Sequence, residues 1–322
     1  MTEEHAMTEL TVMTQEAQLT APAQNRESLL SMFIASLDIK NSSKESYRRA
    51  LRQFFIYAER QHGSDLSQLT REHILEYKSS LFEAGLSALT VSAYINSVRM
   101  FFEFCEAQKV FPNIAKGIRS PKRKRSFRKQ PLTPAQATEL LSYFEATGNK
   151  RETAIVNLLL RTGLRTIEVI RADFGDITYK GGKRVLLVHG KGREEKDNFV
   201  ILTDKAYKPL EAYLAERTDL SEKAPLFTSD SNNSRGQRLT TRTVSYIAKE
   251  GLKAIGLSER VYTAHSLRHT TAVNILRAGG SLEHAQHTLR HSSPATTQIY
   301  TETLEEERRL QNSGEELLSA VY

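Results

Sequence analysis

Residues Tyr262 to Tyr300 read YTAHSLRHTTAVNILRAGGSLEHAQHTLRHSSPATTQIY. Five histidines (His265, His269, His284, His287, His291) and three arginines (Arg268, Arg277, Arg290) share this stretch of short helices, which closes on a tyrosine. His265 and His269 stand at i and i+4, as do His287 and His291, a spacing that puts two side chains on one helix face. A zinc protease helix has this spacing with a glutamate after the first histidine. Here Ser266, Leu267 and Arg268 intervene, and a guanidinium beside two imidazoles opposes a cation and favours an anion. Neither a cysteine pair nor a carboxylate cluster accompanies them, so no metal is expected. Guanidinium and imidazole gathered before a phenol point to chemistry on an anionic substrate.

The rest of the chain narrows which anion. At 322 residues there is room for two domains with sizeable cores. A formal charge of +7 and a pI near 9.3 favour a polyanionic partner. One cysteine, Cys105, cannot form an internal disulfide, and a reducing, cytoplasmic setting is expected. The first residues carry acids (Glu3, Glu4, Glu9) without an apolar core, unlike a signal peptide, and no apolar run approaches the ~20 residues of a membrane span. A soluble protein with no membrane partner is expected.

Residues 1–26 have no periodic apolar face and read as a flexible tail. Residues 27–110 are patterned as four helices in a compact bundle, with stripes such as Leu29, Leu30, Phe33, Ile34 and Tyr47, Leu51, Phe54, Phe55. Asn41, Ser42 and Ser43 are N-cap candidates for the second helix, Thr70 for the third, and Ser87 or Thr90 for the fourth. Arg48, Arg49 and Arg52 lie off the apolar stripe, where they face either solvent or phosphate. Residues 111–131 form a linker. From Ala107 to Thr138 nine residues are basic (Lys109, Lys116, Arg119, Lys122, Arg123, Lys124, Arg125, Arg128, Lys129) and none is acidic. Such a strap repels itself unless an anion neutralises it, and phosphates would do so with release of counterions. A nuclear-localisation signal is the other reading of PKRKR.

A second domain, 132–300, opens with Thr133 as N-cap and Pro134 in the first turn. Ile155 to Leu160 reads as a buried helix, and Thr162-Gly163-Leu164-Arg165 as a turn before a helix resumes at Glu168. Three strands follow, Asp176 to Tyr179, Val185 to Val188 and Phe199 to Leu202, with turns at Lys180-Gly181-Gly182 and Gly190-Lys191-Gly192. Asp204 is a candidate cap for the helix after them, and helices dominate from Thr240 onward. The fold class is mainly α with a small antiparallel β-sheet. Gly190-Lys191-Gly192 is too short for a Walker loop and sits in a hairpin.

Arg165 and Arg268 are the arginines in special settings. Guanidinium forks match the non-bridging oxygens of a phosphodiester, and Arg165 lies where a glycine turn opens a helix. Lys191 on a hairpin tip can protonate a leaving oxygen, and Tyr300 can attack phosphorus and hold it covalently.

Taken in order, Thr162-Gly163-Leu164-Arg165-x-x-Glu168, Gly190-Lys191-Gly192, His265-x-x-Arg268-His269, Leu289-Arg290-His291-Ser292 and Tyr300 resemble the tyrosine recombinases, the phage-integrase and Xer-type site-specific recombinases. The resemblance implies a helical, SAM-like core-binding domain, a linker and a catalytic domain closing as a C-shaped clamp on DNA. It implies that Arg165 and Arg268 clamp the scissile phosphate and that Lys191 serves the departing 5′ hydroxyl as general acid. His265 would assist proton transfer from Tyr300, His291 would hydrogen-bond the phosphate, Tyr300 would form a 3′-phosphotyrosyl link, and Glu168 would orient Arg165 or His265. His269, His284 and His287 are left as packing or surface residues. The reaction needs no cofactor. The resemblance implies four protomers on two inverted-repeat DNA sites, working through a Holliday junction in integration, excision or dimer resolution, with each single site taking one or two protomers. Residues 301–322, with Leu304, Leu310, Leu317, Leu318 and Val321, would dock on a neighbouring protomer. No arm-binding domain is expected ahead of the bundle. A type IB topoisomerase shares the chemistry, and a catalytically silent DNA-binding protein would share the architecture; both stand as alternatives.

One position departs from the family's pattern. Glycine is usual where this chain has Arg290, and a non-glycine residue in a left-handed helix cap costs roughly 1 kcal/mol. An added phosphate contact by Arg290 is the expected return.

Overall fold

The computed structural model describes residues 26–63, 65–121, 129–189, 195–291, 293, 295–311, 313–319 and 321. The flexible tail read at 1–26 therefore lies outside the described residues except for Arg26, as do Lys122, Arg123, Lys124, Arg125 and the Gly190-Lys191-Gly192 turn. The chain divides into two compact units, Met1–Lys124 and Arg125–Tyr322.

In the first unit four α-helices are described: α1 (Arg26–Ser36), α2 (Asn41–His62), α3 (Arg71–Glu83) and α4 (Ala88–Ala107), with a 3-10 turn at Leu66–Gln68. The predicted stripes meet in one core, where Leu30, Leu51, Ile74, Ile95 and Phe101 are fully buried. Aromatic rings fill it edge to face, as in Phe33–Phe101 (5.8 Å) and Phe54–Tyr77 (5.1 Å). Ser87 caps α4, accepting from the Thr90 amide at 3.2 Å. The candidate caps Asn41 to Ser43 instead lie inside α2. Lys40 is the N-cap, because its carbonyl already accepts from the Ser43 and Lys44 amides.

In the second unit Thr133 and Gln136 form a reciprocal capping box (3.2 and 2.9 Å), which starts α5 (Pro134–Ala146). Helices α6 (Lys150–Thr162) and α7 (Thr166–Arg171) lead to strands β1 (Ile177–Lys180), β2 (Lys183–Val188) and β3 (Asn198–Ile201). The strands pair antiparallel in the order β1-β2-β3, with Thr178 opposite Val185 and Val185 opposite Ile201. Gly181 and Gly182 both have positive φ (56° and 74°), the conformation a two-residue hairpin turn requires. Helix α8 (Asp204–Leu214) is capped by Thr203, so Asp204 is its first residue and not the cap. Helices α9 (Thr241–Ala254), α10 (Ala264–Arg277), α11 (Leu282–Leu289), α12 (Ala295–Gln311) and α13 (Gly314–Ser319) complete the described elements. Helix α12 runs through Tyr300, so the expected tail shares a rigid element with it.

Helix α10 is sunk in this unit. Leu267, Arg268, Thr270, Ala272 and Val273 are all at most 1% exposed. Its small residues allow a close approach: Thr271 Oγ1 donates to the Leu160 carbonyl (2.8 Å), and Thr270 Oγ1 accepts from the Leu132 amide (2.8 Å). Gly163 ends α6 in the left-handed region (φ 60°), and a Cβ there would meet Leu289 Cδ2 at 2.5 Å. A side chain at the turn that precedes Arg165 would carry left-handed strain and displace the Leu289 side chain. Among the described residues no helix is long and apolar enough to cross a membrane.

Candidate active site

The Gly163 turn delivers Arg165 as N-cap of α7, and Glu168 sits one turn on. The Glu168 carboxylate, 4% exposed, accepts from the Arg165 amide (2.7 Å) through Oε2 and from Arg165 Nη1 (2.7 Å) through Oε1. Arg165 is therefore fixed through both backbone and side chain, while about a quarter of its side chain stays exposed. Burial pushes the Glu168 carboxyl upward. The charge of Arg290, the Arg165 amide, and the charges of Arg165 and Arg268 outweigh it and hold the group below the usual carboxylate range.

Arg268 enters from α10 and is 1% exposed. Its Nη1 donates to the Gly163 carbonyl and its Nη2 to the Leu289 carbonyl, at the C-terminal ends of α6 and α11. Those ends carry partial negative charge, which makes burial of a guanidinium tolerable. Nη1 also lies 4.0 Å from Glu168 Oε2. Burial first, and then repulsion from Arg165 and Arg290, bring the Arg268 pKa down to about 9. It remains charged at neutral pH, and an incoming anion would relieve that repulsion. Arg165 and Arg268 line a groove of about 930 Å³ together with Lys129, Arg242, Lys249 and His265. Such a wall suits a polyanion.

Tyr300 is 2% exposed and packs with Ala272, Val273, Leu289 and Leu304. Its hydroxyl is 2.9 Å from His269 Nδ1. The His269 ring meets His265 edge-on (4.6 Å), and the His291 ring lies parallel to the Tyr300 ring (6.3 Å, 12°). His291 Nδ1 is 3.0 Å from Thr297 Oγ1, on the turn of α12 before the tyrosine. Burial, then the charge of His265, Arg268 and His291, lowers the His269 pKa to about 3. Burial, then Arg268, Arg165 and Arg290, does the same to His291. His265 is lowered by burial and by Arg268, Arg165 and Lys129. Burial and the neighbouring cations thus hold all three imidazoles toward their neutral form. Burial raises Tyr300 to about 12, against the pull of Arg268 and Arg165, so its phenol ionises only as the proton is removed.

The structure thus brings Arg165, Glu168, His265, Arg268, His291 and Tyr300 into one region of the second unit. Lys191 is outside the described residues. His269 does pack, at 7% exposure, but it also holds the Tyr300 hydroxyl, the contact expected of His265. Both lie on one helix face, and only the packing of α12 across α10 selects between them. The only signal in the sequence was the i, i+4 spacing. The Arg290 guanidinium is turned inward: its Nη2 donates to Glu168 Oε2 (2.7 Å). His284 closes the capping box of its helix, its Nδ1 accepting from the amide of the N-cap Ser281 (3.1 Å), and His287 is exposed beside Glu283. In the first unit Arg48 pairs with Glu45 and Arg52 with Glu27 at the surface. Exposed pairs contribute little to stability, so both arginines remain exchangeable toward phosphate. Arg49 lines a separate groove with Ser46, Tyr47 and Asn96.

A family model described as Phage integrase family matches residues 130–307, and one described as Phage integrase, N-terminal SAM-like domain matches residues 30–109. The chain belongs to the phage integrase family. Tyrosine recombinase XerC of Oceanobacillus iheyensis is 31% identical over 299 residues, covering 88% of this chain and 94% of that protein. Tyrosine recombinase XerD of Staphylococcus haemolyticus is 28% identical over 289 residues, covering 85% and 94%. Among solved structures, XerH site-specific recombinase bound to palindromic difH substrate, in a post-cleavage complex, has the same fold, with a TM-score of 0.72 at 20% identity over 92% of this chain and 86% of that one. This tyrosine recombinase is an enzyme of site-specific DNA recombination, which decides against the topoisomerase and silent-binder alternatives.

Proposed function

We propose that this recombinase cleaves and rejoins duplex DNA through a 3′-phosphotyrosyl bond on Tyr300, with Arg165 and Arg268 binding the scissile phosphate. The carrying observation is the convergence of the Tyr300–His269 pair (2.9 Å) with Arg165, bonded to the buried Glu168 carboxylate (2.7 Å), and Arg268, 4.0 Å from the same carboxylate. Tyr300 Oη attacks phosphorus and the bond from phosphorus to the 5′ oxygen breaks. The phenol proton passes to a neutral imidazole, His269 in the described geometry, with His265 next to it. The 5′ oxygen takes a proton from Lys191, whose role rests on the resemblance alone. Negative charge growing on the non-bridging oxygens meets Arg165, Arg268 and His291, which is where preorganised donors lower a barrier most.

One phosphodiester is exchanged for another ester of similar energy, so religation by the freed 5′ hydroxyl needs neither nucleotide nor metal. Since Tyr300 is 2% exposed, α12 must shift for its hydroxyl to reach a DNA phosphate. That helix is seated by Leu304 and by the bidentate pair Arg277–Glu307 (2.6 and 2.8 Å). Leu310 near its end and Leu317, Leu318 and Val321 beyond it are 52–75% exposed, apolar surface that suits a neighbouring protomer. Docking there would couple assembly of four protomers on two sites to release of Tyr300. Arg48, Arg49, Arg52 and the Lys122–Arg125 run are assigned to DNA backbone contact. The test is a duplex nicked beside the cleavage site, which traps the intermediate: wild type forms an SDS-resistant protein–DNA complex and Tyr300→Phe forms none, whereas equal complex from both overturns the proposal.

A further inference from the structure

We propose that Arg290 is a positioning residue of the recombination site: it occupies the inner face of Glu168, so that Glu168 holds Arg165 toward the groove and leaves Arg268 to the phosphate. This rests on the reading of Arg165, Arg268 and Tyr300 as the reaction centre. Glu168 Oε2 accepts from the Arg165 amide and from Arg290 Nη2, both at 2.7 Å, while Arg268 Nη1 waits at 4.0 Å. Removing the Arg290 guanidinium opens an acceptor site on Oε2. Arg268 is the other buried cation beside that oxygen, 4.0 Å away, and its turn toward Glu168 would take it from the groove.

Arg290 is one of two non-glycine residues with positive φ among those described, at φ 54° and ψ 46°. That conformation caps α11 and places His291, whose amide returns to the Gln286 carbonyl (3.1 Å). Glycine would adopt it without strain, so the side chain must supply the compensation. It does so across 122 residues of sequence, joining the α7 turn to the α11 cap, with Nη1 on the Thr288 carbonyl (2.7 Å). Its Nε is buried without a hydrogen-bond partner among the described residues. The guanidinium is therefore oriented by Glu168 and not by its own full satisfaction. Three guanidiniums around one buried carboxylate leave the pocket positively charged, and burial lowers the Arg290 pKa as it does that of Arg268. The charge is balanced when a phosphodiester enters.

The test uses the full chain as wild type, Arg290→Gly, Arg290→Lys, Arg290→Met and Tyr300→Phe, with DNA affinity, melting temperature and single-turnover covalent-complex formation measured on a nicked duplex. Arg290→Gly is expected to keep DNA affinity, to melt at a lower temperature because the buried pair with Glu168 is broken, and to cleave about tenfold or more slowly when saturated. Millimolar guanidinium should restore rate to that variant and leave wild type unchanged. Lys and Met carry the same backbone strain, so a faster rate for Arg290→Lys than for Arg290→Met supports a role for the charge. Wild-type cleavage by Arg290→Gly and Arg290→Met, with Tyr300→Phe inert, overturns this inference alone. A rate lost only in proportion to DNA affinity, unmoved by guanidinium, also overturns it, in favour of a direct phosphate contact. Covalent complex from Tyr300→Phe would instead remove the site reading beneath it.

Discussion

Replacing Glu168 by glutamine keeps the shape of the side chain and removes its charge. The carboxylate is 4% exposed and accepts three hydrogen bonds of 2.7 Å, two from Arg165 and one from Arg290. An amide has one acceptor oxygen. With that oxygen at Oε2 the bond from Arg165 Nη1 is lost; with it at Oε1 both others are lost. In either orientation Arg290 and Arg268, 6% and 1% exposed at the side chain, lose their buried counter-charge. Breaking a buried pair by removing one partner costs about 3–5 kcal/mol, and the lower end applies because Arg165 can turn to solvent. For a unit of this size that loss lowers the melting temperature by roughly 6–12 °C. The assay is thermal unfolding of the full chain, paired with covalent-complex formation, which should fall with it. Adding Arg290→Gly should return part of the stability, since one stranded charge leaves with it. A melting temperature within about 2 °C of wild type would show that Glu168 does not neutralise this cluster.

Two further outcomes follow from the histidines. His269→Phe keeps a ring against Tyr300 and removes the proton acceptor; cleavage should drop by about 10²-fold or more at unchanged DNA affinity. If cleavage persists and His265→Ala is the variant that fails, the acceptor is His265. His269 has a pKa near 3 when folded and 6.5 when free, so between those values the unfolded chain binds the extra proton and acid favours unfolding. Going from pH 7 to pH 5 should cost about 2 kcal/mol from this residue alone. Denaturation at the two pH values should show a smaller loss for His269→Phe; equal losses would mean that His269 titrates freely in the fold.

Much of this architecture was legible because it is local. Apolar periodicity located the four helices of the first unit, and the Thr133-Pro134 cap and the Gly181-Gly182 turn announced themselves by chemistry that acts within a few residues. Errors of cap position, Lys40 for Asn41 and Thr203 for Asp204, arose where neighbouring residues compete for the same amides and the backbone carbonyl decides. The order of the motifs singles out Arg165, Arg268, His291 and Tyr300, and their approach to one another depends on α10 being sunk beneath α6 and α11. What stayed hidden was pairing across sequence distance. Nothing in His265-x-x-Arg268-His269 says which imidazole faces α12, and nothing at Arg290 points to a carboxylate 122 residues earlier. The departure from glycine marked Arg290 as unusual, but only the packing gave it a partner.

The most direct measurement is the identity of the residue that carries DNA in the trapped intermediate. Wild-type protein is reacted with a nicked duplex, digested with protease and nuclease, and the nucleotide-bearing peptide is fragmented in a mass spectrometer. A 3′-phosphonucleotide on the side chain of Tyr300 is the predicted result; the same adduct on any other residue, or on Tyr300→Phe protein, would contradict it.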